Sequence, residues 1–471
     1  MHPDESSTNA PVPPLRAPNA AAPNDPVRAT PGLLRRASWQ FMLAALLVQL
    51  PLVLNHGYFS HDELQWLAYA DVPWPEIPWN GWFDFEPFQY RPLTFNLWLL
   101  LSKLFGYSPV TMHLLRVLAG AAVALLLRAT LCELGVPTAR ASIAALAFLL
   151  LPETSYAHAW IGTYADSLCL GFGLGALLLT LRADSATRVA TVRSALAASV
   201  LTALALASKE SAVLLPALLV LAALRRRDRV LAAAIAGSAL VVALYLVLRL
   251  DTILYGPRDG SVYAWSTGHI PARLVEYAMY PFEFDRFDAT GAFWDAHRRF
   301  AVMCWLATVT VAASAGWRAL AAFCAGWVLA LGPVLILTFS ATHYAYLAAA
   351  FLCGFFAITW QRMPTLARLT LAGLTLLALV HGQWVAAEMR RIGDIQHNLY
   401  EDLLPLLANR TTTVYIKAER ASEDIILRRL VFRIPSYRQV PLGERVVSIE
   451  HDDPTHAEFV MNPVGRLSQA R

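Results

Sequence analysis

The chain has 471 residues, of which 57% are hydrophobic and only 15% are charged, and its mean hydropathy is +0.46. This composition excludes a single soluble domain, and a formal net charge of +4 gives no indication of a nucleic-acid partner. The apolar residues fall in repeated runs of about 20, the length that a helix needs to cross a bilayer. The sequence therefore predicts a polytopic helical membrane protein.

The cysteines indicate neither a disulfide framework nor a zinc site. All five lie in or next to apolar runs, and none belongs to a Cys-x-x-Cys pair. No cofactor follows from the sequence, and a divalent metal is left open.

The chain begins with a polar segment and continues with a long series of apolar runs. Residues 1–36 are rich in proline, alanine and asparagine and lack apolar periodicity, which predicts a disordered cytoplasmic tail. A transmembrane domain is expected over residues 37–387, with a first span at 39–54 and a first outer loop at 55–107. About eleven spans are predicted in all, the later ten at 108–131, 138–153, 163–182, 193–208, 210–224, 230–249, 299–315, 318–338, 343–360 and 366–386.

Arginines predict the orientation of these spans. They recur in alternate loops, and the densest group is Arg-Arg-Arg-Asp-Arg at 225–229. Since cytoplasmic loops are enriched in Lys and Arg, these loops and the N-terminus are expected on the cytoplasmic side of a cell (inner) membrane. The first outer loop, the loop at 250–298 and the C-terminus are then expected on the extracytoplasmic side.

The chain becomes polar after about residue 388. Segments 411–416 and 445–449 have the composition of strands, and 421–432 has the pattern of a helix. A small extracytoplasmic α/β domain is therefore expected over residues 388–471. The expected fold class is an all-α polytopic membrane protein with this small α/β domain at its C-terminus.

The first outer loop carries two adjacent carboxylates where a span meets water. Aromatic residues alternate there with acids and prolines, which favours a position at the level of the lipid headgroups. A partly desolvated carboxylate at Asp62 or Glu63 gains basicity and can take a proton from an acceptor hydroxyl. Ser60 and Glu63 also have the spacing of a helix capping box. Capping explains Glu63 as well as catalysis does, but it leaves Asp62 without a structural role.

Asp166 and the dipeptide Lys209-Glu210 are further candidate site residues. Asp166 is predicted at the outer end of a span, where an acid either favours the helix dipole or serves as a second active-site carboxylate. Lys209 is one of only three lysines and lies at an outer membrane edge, which suits a phosphate-binding residue. An internal ion pair between Lys209 and Glu210 that holds a tight turn is the alternative.

Four other residues complete the set. Arg91, just before Pro92, either clamps a phosphate or extends to the headgroups. His113 has the position of a buried histidine with satisfied hydrogen bonds. His343 and Tyr346 flank the start of a late span, and by themselves they would be interface anchors.

Taken in order, these residues resemble the C-type glycosyltransferases, integral membrane enzymes that use polyprenyl-phosphate sugars. The similarity is to the protein O-mannosyltransferase-like branch, including transmembrane mannosyltransferases that carry tetratricopeptide repeats, and it spans about residues 39–360. The matching motifs are Asp62-Glu63, Tyr90-Arg91-Pro92-Leu93, His113, the segment 162–168 with Asp166, and Lys209-Glu210.

The sequence departs from the family pattern at three points. The element Gly-Arg-Ala-Asp-x-Leu appears at 162–168 with one residue added and its arginine missing. The late Arg-x-x-Tyr motif reads His-Tyr-Ala-Tyr at 343–346, so a titratable group takes the place of the arginine. No tetratricopeptide repeat follows residue 388.

The resemblance implies an inverting transfer of a hexosyl or mannosyl group from a polyprenyl-phosphate donor to a hydroxyl of a protein, lipid or glycan. It assigns catalysis to Asp62, Glu63 and Asp166, and donor phosphate binding to Arg91, Lys209, His343 and Tyr346. Tyr90, His113 and Glu210 complete the implied site, the lipid bilayer is the expected environment, and no nucleic-acid partner is expected.

Three other functions fit a polytopic chain. A lipid or glycan transporter or flippase would place polar groups near the middle of the bilayer, whereas here they gather at one outer face. An O-antigen polymerase or ligase would concentrate basic residues in a large late outer loop, whereas the loop at 250–298 mixes acids with arginines. A non-catalytic member of the same fold is the third alternative, because of the departure at His343.

Overall fold

A computed structural model of the chain describes residues 31–183, 187–223, 228–256, 264–284, 298–451, 453 and 457–470. The described residues divide into two compact units, one ending at Gln40 and one beginning at Phe41. Most of the expected N-terminal tail, the arginines at 225–227 and several acids of the loop at 250–298 lie outside the described residues. The first helix begins at Pro31, so residues 31–36, which the sequence assigns to the tail, are helical.

The described residues are mainly helical, and proline marks where several helices start. Pro92, Pro109 and Pro152 each occupy the first position of a helix, where a missing N–H costs no hydrogen bond. The helices are α1 (Pro31–Val48), α2 (Leu50–Val53), α3 (His61–Leu67), α4 (Pro92–Phe105), α5 (Pro109–Glu133), α6 (Thr138–Leu150), α7 (Pro152–Ala159), α8 (Tyr164–Arg182), α9 (Arg188–Leu206), α10 (Leu215–Ala223), α11 (Arg229–Leu248), α12 (Leu250–Tyr255), α13 (Ile270–Glu283), α14 (Arg298–Ser314), α15 (Trp317–Leu331), α16 (Tyr346–Thr359), α17 (Thr365–Ala408) and α18 (Asp424–Val431). The strands are β1 (Val414–Ala418), β2 (Ser436–Tyr437), β3 (Val440–Pro441), β4 (Val446–Ile449), β5 (Phe459–Met461) and β6 (Leu467–Gln469).

Within the described residues, seven helical segments have the length and composition to cross a membrane. They are Pro109–Glu133, Ile161–Arg182, Arg188–Leu206, Arg229–Leu248, Trp317–Ile336, Thr342–Arg362 and Thr365–Ala408. Shorter apolar helices lie at Ser38–Val48, Pro92–Phe105, Thr138–Leu150 and Glu210–Ala223. The predicted polytopic helical fold is confirmed. Eleven spans are compatible with this arrangement, although fewer helices reach the full length.

The C-terminal domain packs against the first loop. The Gln65 amide of α3 donates to Phe432 O over 3.1 Å, and Asp71 accepts from Ser436 Oγ and Gln439 N over 3.1 and 3.0 Å. Seven full-length segments lie between these two regions in the described chain. Together with the shorter helices α6, α10 and α14 they correspond to the ten spans that the sequence predicts there.

The last membrane helix continues well beyond the predicted span. Helix α17 runs for 44 residues to Ala408, whereas the sequence places the end of the membrane domain at residue 387. The extension buries Met389, Ile392, Ile395 and Leu399, at the spacing of three or four residues that one face of a helix requires. Polar residues between them give the segment the composition of a soluble region, which explains the difference. The C-terminal domain follows Ala408.

The C-terminal domain has the predicted α/β character. Strand β1 pairs in parallel with β4 and β5, and β5 pairs antiparallel with β6, in the order β4-β1-β5-β6. Helix α18 packs against β1 and β4, and β2 and β3 form a separate hairpin. The predicted strands at 411–416 and 445–449 and the helix at 421–432 agree with β1, β4 and α18 to within a few residues.

Candidate active site

Asp62 lies at the exposed start of α3. Its carboxylate is 41% exposed, and Oδ1 lies 3.0 Å from Nε2 of His61. The His61 ring meets the Phe432 ring of the C-terminal domain edge to face, with 5.5 Å between the ring centres. Asp62 is therefore accessible, and it has no Lys or Arg partner in the part of the chain that the structure describes.

Glu63, the next residue, is buried and bonded to the backbone through both oxygens. Oε2 accepts the N–H groups of Phe59 and Ser60 over 3.0 and 3.1 Å, and Oε1 accepts the N–H of Ile161 over 2.7 Å. Burial raises the pKa of Glu63 to about 8, although the three N–H groups act in the opposite direction. The capping box is thus present, and the same side chain ties α3 to the turn that leads into α8.

The start of α4 docks against the turn that precedes α10. The Thr94 hydroxyl donates to Ser208 O over 3.0 Å, which places Arg91 beside Glu210. Arg91 Nε lies 3.1 and 2.9 Å from the two Glu210 oxygens, and Nη2 lies 2.7 Å from Oε2. Glu210 therefore pairs with Arg91, and the alternative of an ion pair with its neighbour Lys209 is wrong.

Lys209 forms a buried ion pair with Asp166. The ammonium contacts Oδ1, and the two side chains are only 4% and 2% exposed. Asp166 lies in the first turn of α8, as the sequence predicts. Lys209 Nζ also lies 4.9 Å from the centre of the Tyr344 ring. The attraction between the two buried charges offsets much of the cost of removing each from water. This attraction also holds the ammonium group in position.

A cavity of about 290 Å³ opens beside these two ion pairs. Its lining includes Arg91, Lys209, Glu210, Arg249 and Tyr344, and the remainder is mostly apolar, from α11, α12 and residues near the end of α15. The lining thus combines three cations and one carboxylate with an apolar wall. This composition suits a ligand that has an anionic head and an apolar tail.

Arg249 was not identified from the sequence. It is buried at the end of α11, and its guanidinium donates to Phe85 O and Phe88 O over 2.6 Å each and contacts Pro87 O. These bonds hold the segment 85–88 of the first loop beside the cavity. An arginine at the end of an apolar run is typical of a membrane interface, so the sequence carries no signal of this role.

Tyr346 does not line the cavity. It is fully buried, and its hydroxyl accepts from Ser167 Oγ over 3.0 Å and lies 2.9 Å from His158 Nε2. Arg116 Nη1 donates to the same Ser167 Oγ over 2.8 Å. The hydroxyl therefore belongs to a buried network that joins α5, α7, α8 and α16. Tyr344, two residues earlier, lines the cavity instead, as does Tyr245 of α11.

Tyr90 and His113 brace the first loop. The Tyr90 hydroxyl donates to Trp82 O over 2.6 Å, and its ring stacks on Phe85 with 4.7 Å between centres. Buried His113 has Nε2 2.9 Å from Gly57 O. Both side chains hold the loop backbone. His113 is buried as the sequence predicts, but its Nδ1 has no hydrogen-bond partner among the described residues, so only one of its two ring nitrogens is satisfied.

The predicted residues thus fall into two neighbouring groups. One surrounds the cavity and comprises Arg91, Asp166, Lys209 and Glu210. The other, at the start of α3, comprises Asp62 and Glu63. His343 lies between them, one residue from Tyr344 of the cavity lining. Within the described ranges, no group of three His, Cys, Asp or Glu side chains is placed to hold a metal ion.

Comparisons with known proteins bear on the fold. No family model matches the sequence, and no curated protein matches it. Among solved structures, ArnT from Cupriavidus metallidurans bound to undecaprenyl phosphate is similar with a TM-score of 0.50 and 13% identity, over 90% of this chain and 87% of ArnT. The arabinofuranosyltransferase AftD from Mycobacteria matches with a TM-score of 0.43 and 16% identity, over 88% of this chain and 30% of AftD. The chain has the membrane fold of ArnT, in agreement with the C-type glycosyltransferase fold that its motifs predict.

Proposed function

We propose that the chain is a membrane glycosyltransferase that moves a sugar from a polyprenyl-phosphate donor to an acceptor hydroxyl. The observation that carries this proposal is the cavity, where Arg91, Lys209 and Arg249 stand in a mostly apolar lining. A lipid phosphate has one anionic group and a long apolar chain, and the lining complements both. ArnT, which has the same fold, was solved with undecaprenyl phosphate bound.

The three cations hold the donor phosphate in this proposal. Arg91 and Lys209 are kept in place by Glu210 and Asp166, whereas Arg249 donates to backbone carbonyls and pairs with no carboxylate of the described residues. Guanidinium groups match phosphate oxygens in a fork, and lysine binds them as a point charge. Preorganised charge of this kind, placed where negative charge grows in the transition state, is often the largest catalytic contribution.

Asp62 is the proposed general base. It is the accessible member of the three candidate carboxylates, since Asp166 is buried against Lys209 and Glu63 is buried against three N–H groups. An acceptor hydroxyl can reach Asp62 and not the other two. We therefore assign Asp166 to the positioning of Lys209, and Glu63 to the positioning of α3.

The reaction is then a single inverting displacement. Asp62 takes the proton of the acceptor hydroxyl as its oxygen bonds to the anomeric carbon of the sugar. The bond from that carbon to the phosphate oxygen breaks, and the electron pair leaves with the polyprenyl phosphate. Because the phosphate is a good leaving group, one base suffices. On the motif resemblance, the sugar is proposed to be a hexose such as mannose, and the acceptor a protein, lipid or glycan on the extracytoplasmic face.

Transfer is tested by incubating the purified protein with radiolabelled polyprenyl-phosphate hexoses and with cell membranes as the source of acceptor. Thin-layer chromatography should show label moving from the donor into a product with the wild type and not with Asp62→Asn. Label that stays in the donor for every hexose supplied, with wild-type protein that is folded, would overturn the proposal.

A further inference from the structure

His343 lies between the cavity and the start of α3. The residue as a whole is partly exposed, and its ring lies edge to face against Trp160 with 4.8 Å between centres. The Tyr156 ring is parallel to it at 6.3 Å, and the Tyr344 ring lies 4.5 Å away. His343 therefore stands in a set of aromatic rings, with Tyr344 of the cavity lining on one side.

The described part of the chain leaves the hydrogen-bonding capacity of His343 unused. Nδ1 is buried without a partner, and neither ring nitrogen has a hydrogen bond to any of the residues that the structure describes. A buried polar atom without a partner is uncommon in a folded protein and points to a water or ligand that completes it. If His343 served only to fill space, a phenylalanine at this position would do so equally well.

The residues around His343 also contact the segment that carries Asp62. Trp160 packs edge to face against Phe59 with 5.7 Å between centres, and Ile161, the next residue, donates its N–H to Glu63. Phe59 and Glu63 flank the start of the helix that carries Asp62. A group linked to a phosphate in the cavity and attacked by a hydroxyl at Asp62 has to pass between these two sites, and His343 and Trp160 lie there.

We propose that His343 and Trp160 form the subsite for the donor sugar, with His343 bonding a sugar hydroxyl and Trp160 packing against the ring. This inference rests on the proposed function and reassigns His343 from the phosphate to the sugar. Sugar rings present an apolar face of C–H groups together with hydroxyls, and a tryptophan ring beside an unfilled hydrogen-bonding site is complementary to both.

The charges around this subsite favour an uncharged sugar. Lys209, Arg91 and Arg116 are the charged groups that act on His343, and all three are cations. Glu63, the nearby carboxylate, is committed to backbone N–H groups, and Asp166 is committed to Lys209. Asp62, the remaining carboxylate, is assigned to the acceptor hydroxyl in the proposed function. An ammonium group on the sugar would therefore meet mainly positive charge, so a neutral hexose fits better than an amino sugar.

The test compares lipid phosphates with and without a sugar. Affinities of detergent-solubilised protein are measured for undecaprenyl phosphate and for undecaprenyl phosphate carrying mannose, glucose, galactose or glucosamine. The wild type should prefer at least one neutral hexose form over the bare lipid phosphate and over the glucosamine form. His343→Phe should reduce that preference by roughly 3- to 10-fold, the range of one neutral hydrogen bond, while binding bare undecaprenyl phosphate normally. His343→Gln, which can still hydrogen-bond, should keep part of the preference.

Several outcomes would overturn the inference. An equal loss for the bare and the glycosylated lipid in His343→Phe would return His343 to the phosphate site. Wild-type preference for the glucosamine form, or none for any hexose, would remove the neutral-sugar assignment. Failure of the wild type to bind bare undecaprenyl phosphate would instead refute the proposed function itself. His397→Phe, at a half-exposed histidine of α17, is the matched control, and thermal melts confirm that each variant is folded.

Discussion

The cavity and the start of α3 both carry charged side chains, but they hold them in opposite ways. At the cavity, Arg91 and Lys209 are bonded to carboxylates and largely removed from water. At α3, Asp62 is 41% exposed, and its ion-pair partner in the described chain is a histidine. Paired and buried charges have a fixed geometry, which suits the binding of an anion. An accessible carboxylate can exchange protons, which suits a general base. The two arrangements assign anion binding to the cavity and proton transfer to the start of α3. Substitutions in each region can test this assignment.

Replacement of Asp62 should have the largest effect on turnover. Asp62→Asn keeps the shape of the side chain but cannot accept a proton, so turnover should fall by a factor of roughly 10² to 10⁴. Donor affinity should be unchanged, because Asp62 does not line the cavity. Initial rates and calorimetric binding of the donor on the same preparation measure both quantities.

Asp84→Asn is the matched control, since Asp84 is an exposed carboxylate of the same loop. It should leave turnover unchanged. Full activity in Asp62→Asn would show that Asp62 is not the general base. The start of α3 would then have no catalytic role to set against the binding role of the cavity.

Replacement of Lys209 should affect both folding and donor binding. Lys209→Met leaves the Asp166 carboxylate buried without its partner, and breaking such a pair costs about 3–5 kcal/mol of folding stability. Adding Asp166→Asn removes the second charge and should recover much of that stability. The double variant should nevertheless bind undecaprenyl phosphate more weakly than the wild type does, because the cation is missing from the cavity. Calorimetry measures this affinity.

Lys103→Met serves as the control, since Lys103 donates to Ala70 O and Val72 O over 2.8 and 2.7 Å and is not part of the cavity lining. It should leave lipid affinity unchanged. Wild-type affinity in the double variant would mean that Lys209 only neutralises Asp166.

Replacement of Glu63 should affect stability and not donor affinity. Glutamine completes many capping boxes, but here both oxygens of Glu63 accept N–H groups. Glu63→Gln turns one acceptor into a donor, so one buried N–H loses its partner at a cost of about 1–3 kcal/mol. A thermal melt should show the loss, and an unchanged melting temperature would contradict the observed bonding.

The raised pKa of Glu63 predicts a matching pH dependence. Since burial raises the pKa from 4.5 to about 8, the folded protein retains a proton that the unfolded chain releases above pH 4.5. The contribution of Glu63 to stability is therefore complete below about pH 4.5, decreases as the pH rises and is lost above about pH 8. Melting temperatures from pH 5 to 9 should fall more steeply in the wild type than in Glu63→Gln. Parallel slopes would contradict the raised pKa.

Replacement of Tyr346 should have the smallest effect. Tyr346→Phe removes a hydroxyl bonded to Ser167 and His158, which should reduce stability by about 0.5–1.5 kcal/mol. Affinity for undecaprenyl phosphate should not change, because Tyr346 lies outside the cavity lining. Tyr344→Phe is the comparison at a tyrosine that does line the cavity. A weaker lipid affinity in Tyr346→Phe would restore this residue to the phosphate site, as the motif implies.

Local patterns account for what the sequence predicts well. Apolar runs predict the helices, Ser60 and Glu63 predict the capping box, and the abrupt change to polar composition predicts the small C-terminal region with strands. The continuation of α17 to Ala408 was not predicted, because its polar face resembles a soluble segment and burial of its opposite face depends on the packed structure.

Long-range pairing is what the sequence could not provide. Lys209 precedes Glu210 in the chain but bonds to Asp166, 43 residues away, and Glu210 bonds to Arg91 at a separation of 119 residues. Arg249 belongs to no recognised motif. Its place in the cavity lining depends on how the end of α11 packs against the first loop. Such pairs follow from the tertiary fold, and one sequence does not encode them in any local pattern.

The most direct test is a structure of the protein determined with undecaprenyl phosphate. We predict phosphate density within hydrogen-bonding distance of Lys209 and Arg249, with the isoprenoid chain along the apolar lining of the cavity. Lipid density elsewhere, or a phosphate that contacts none of the three cations, would contradict this prediction.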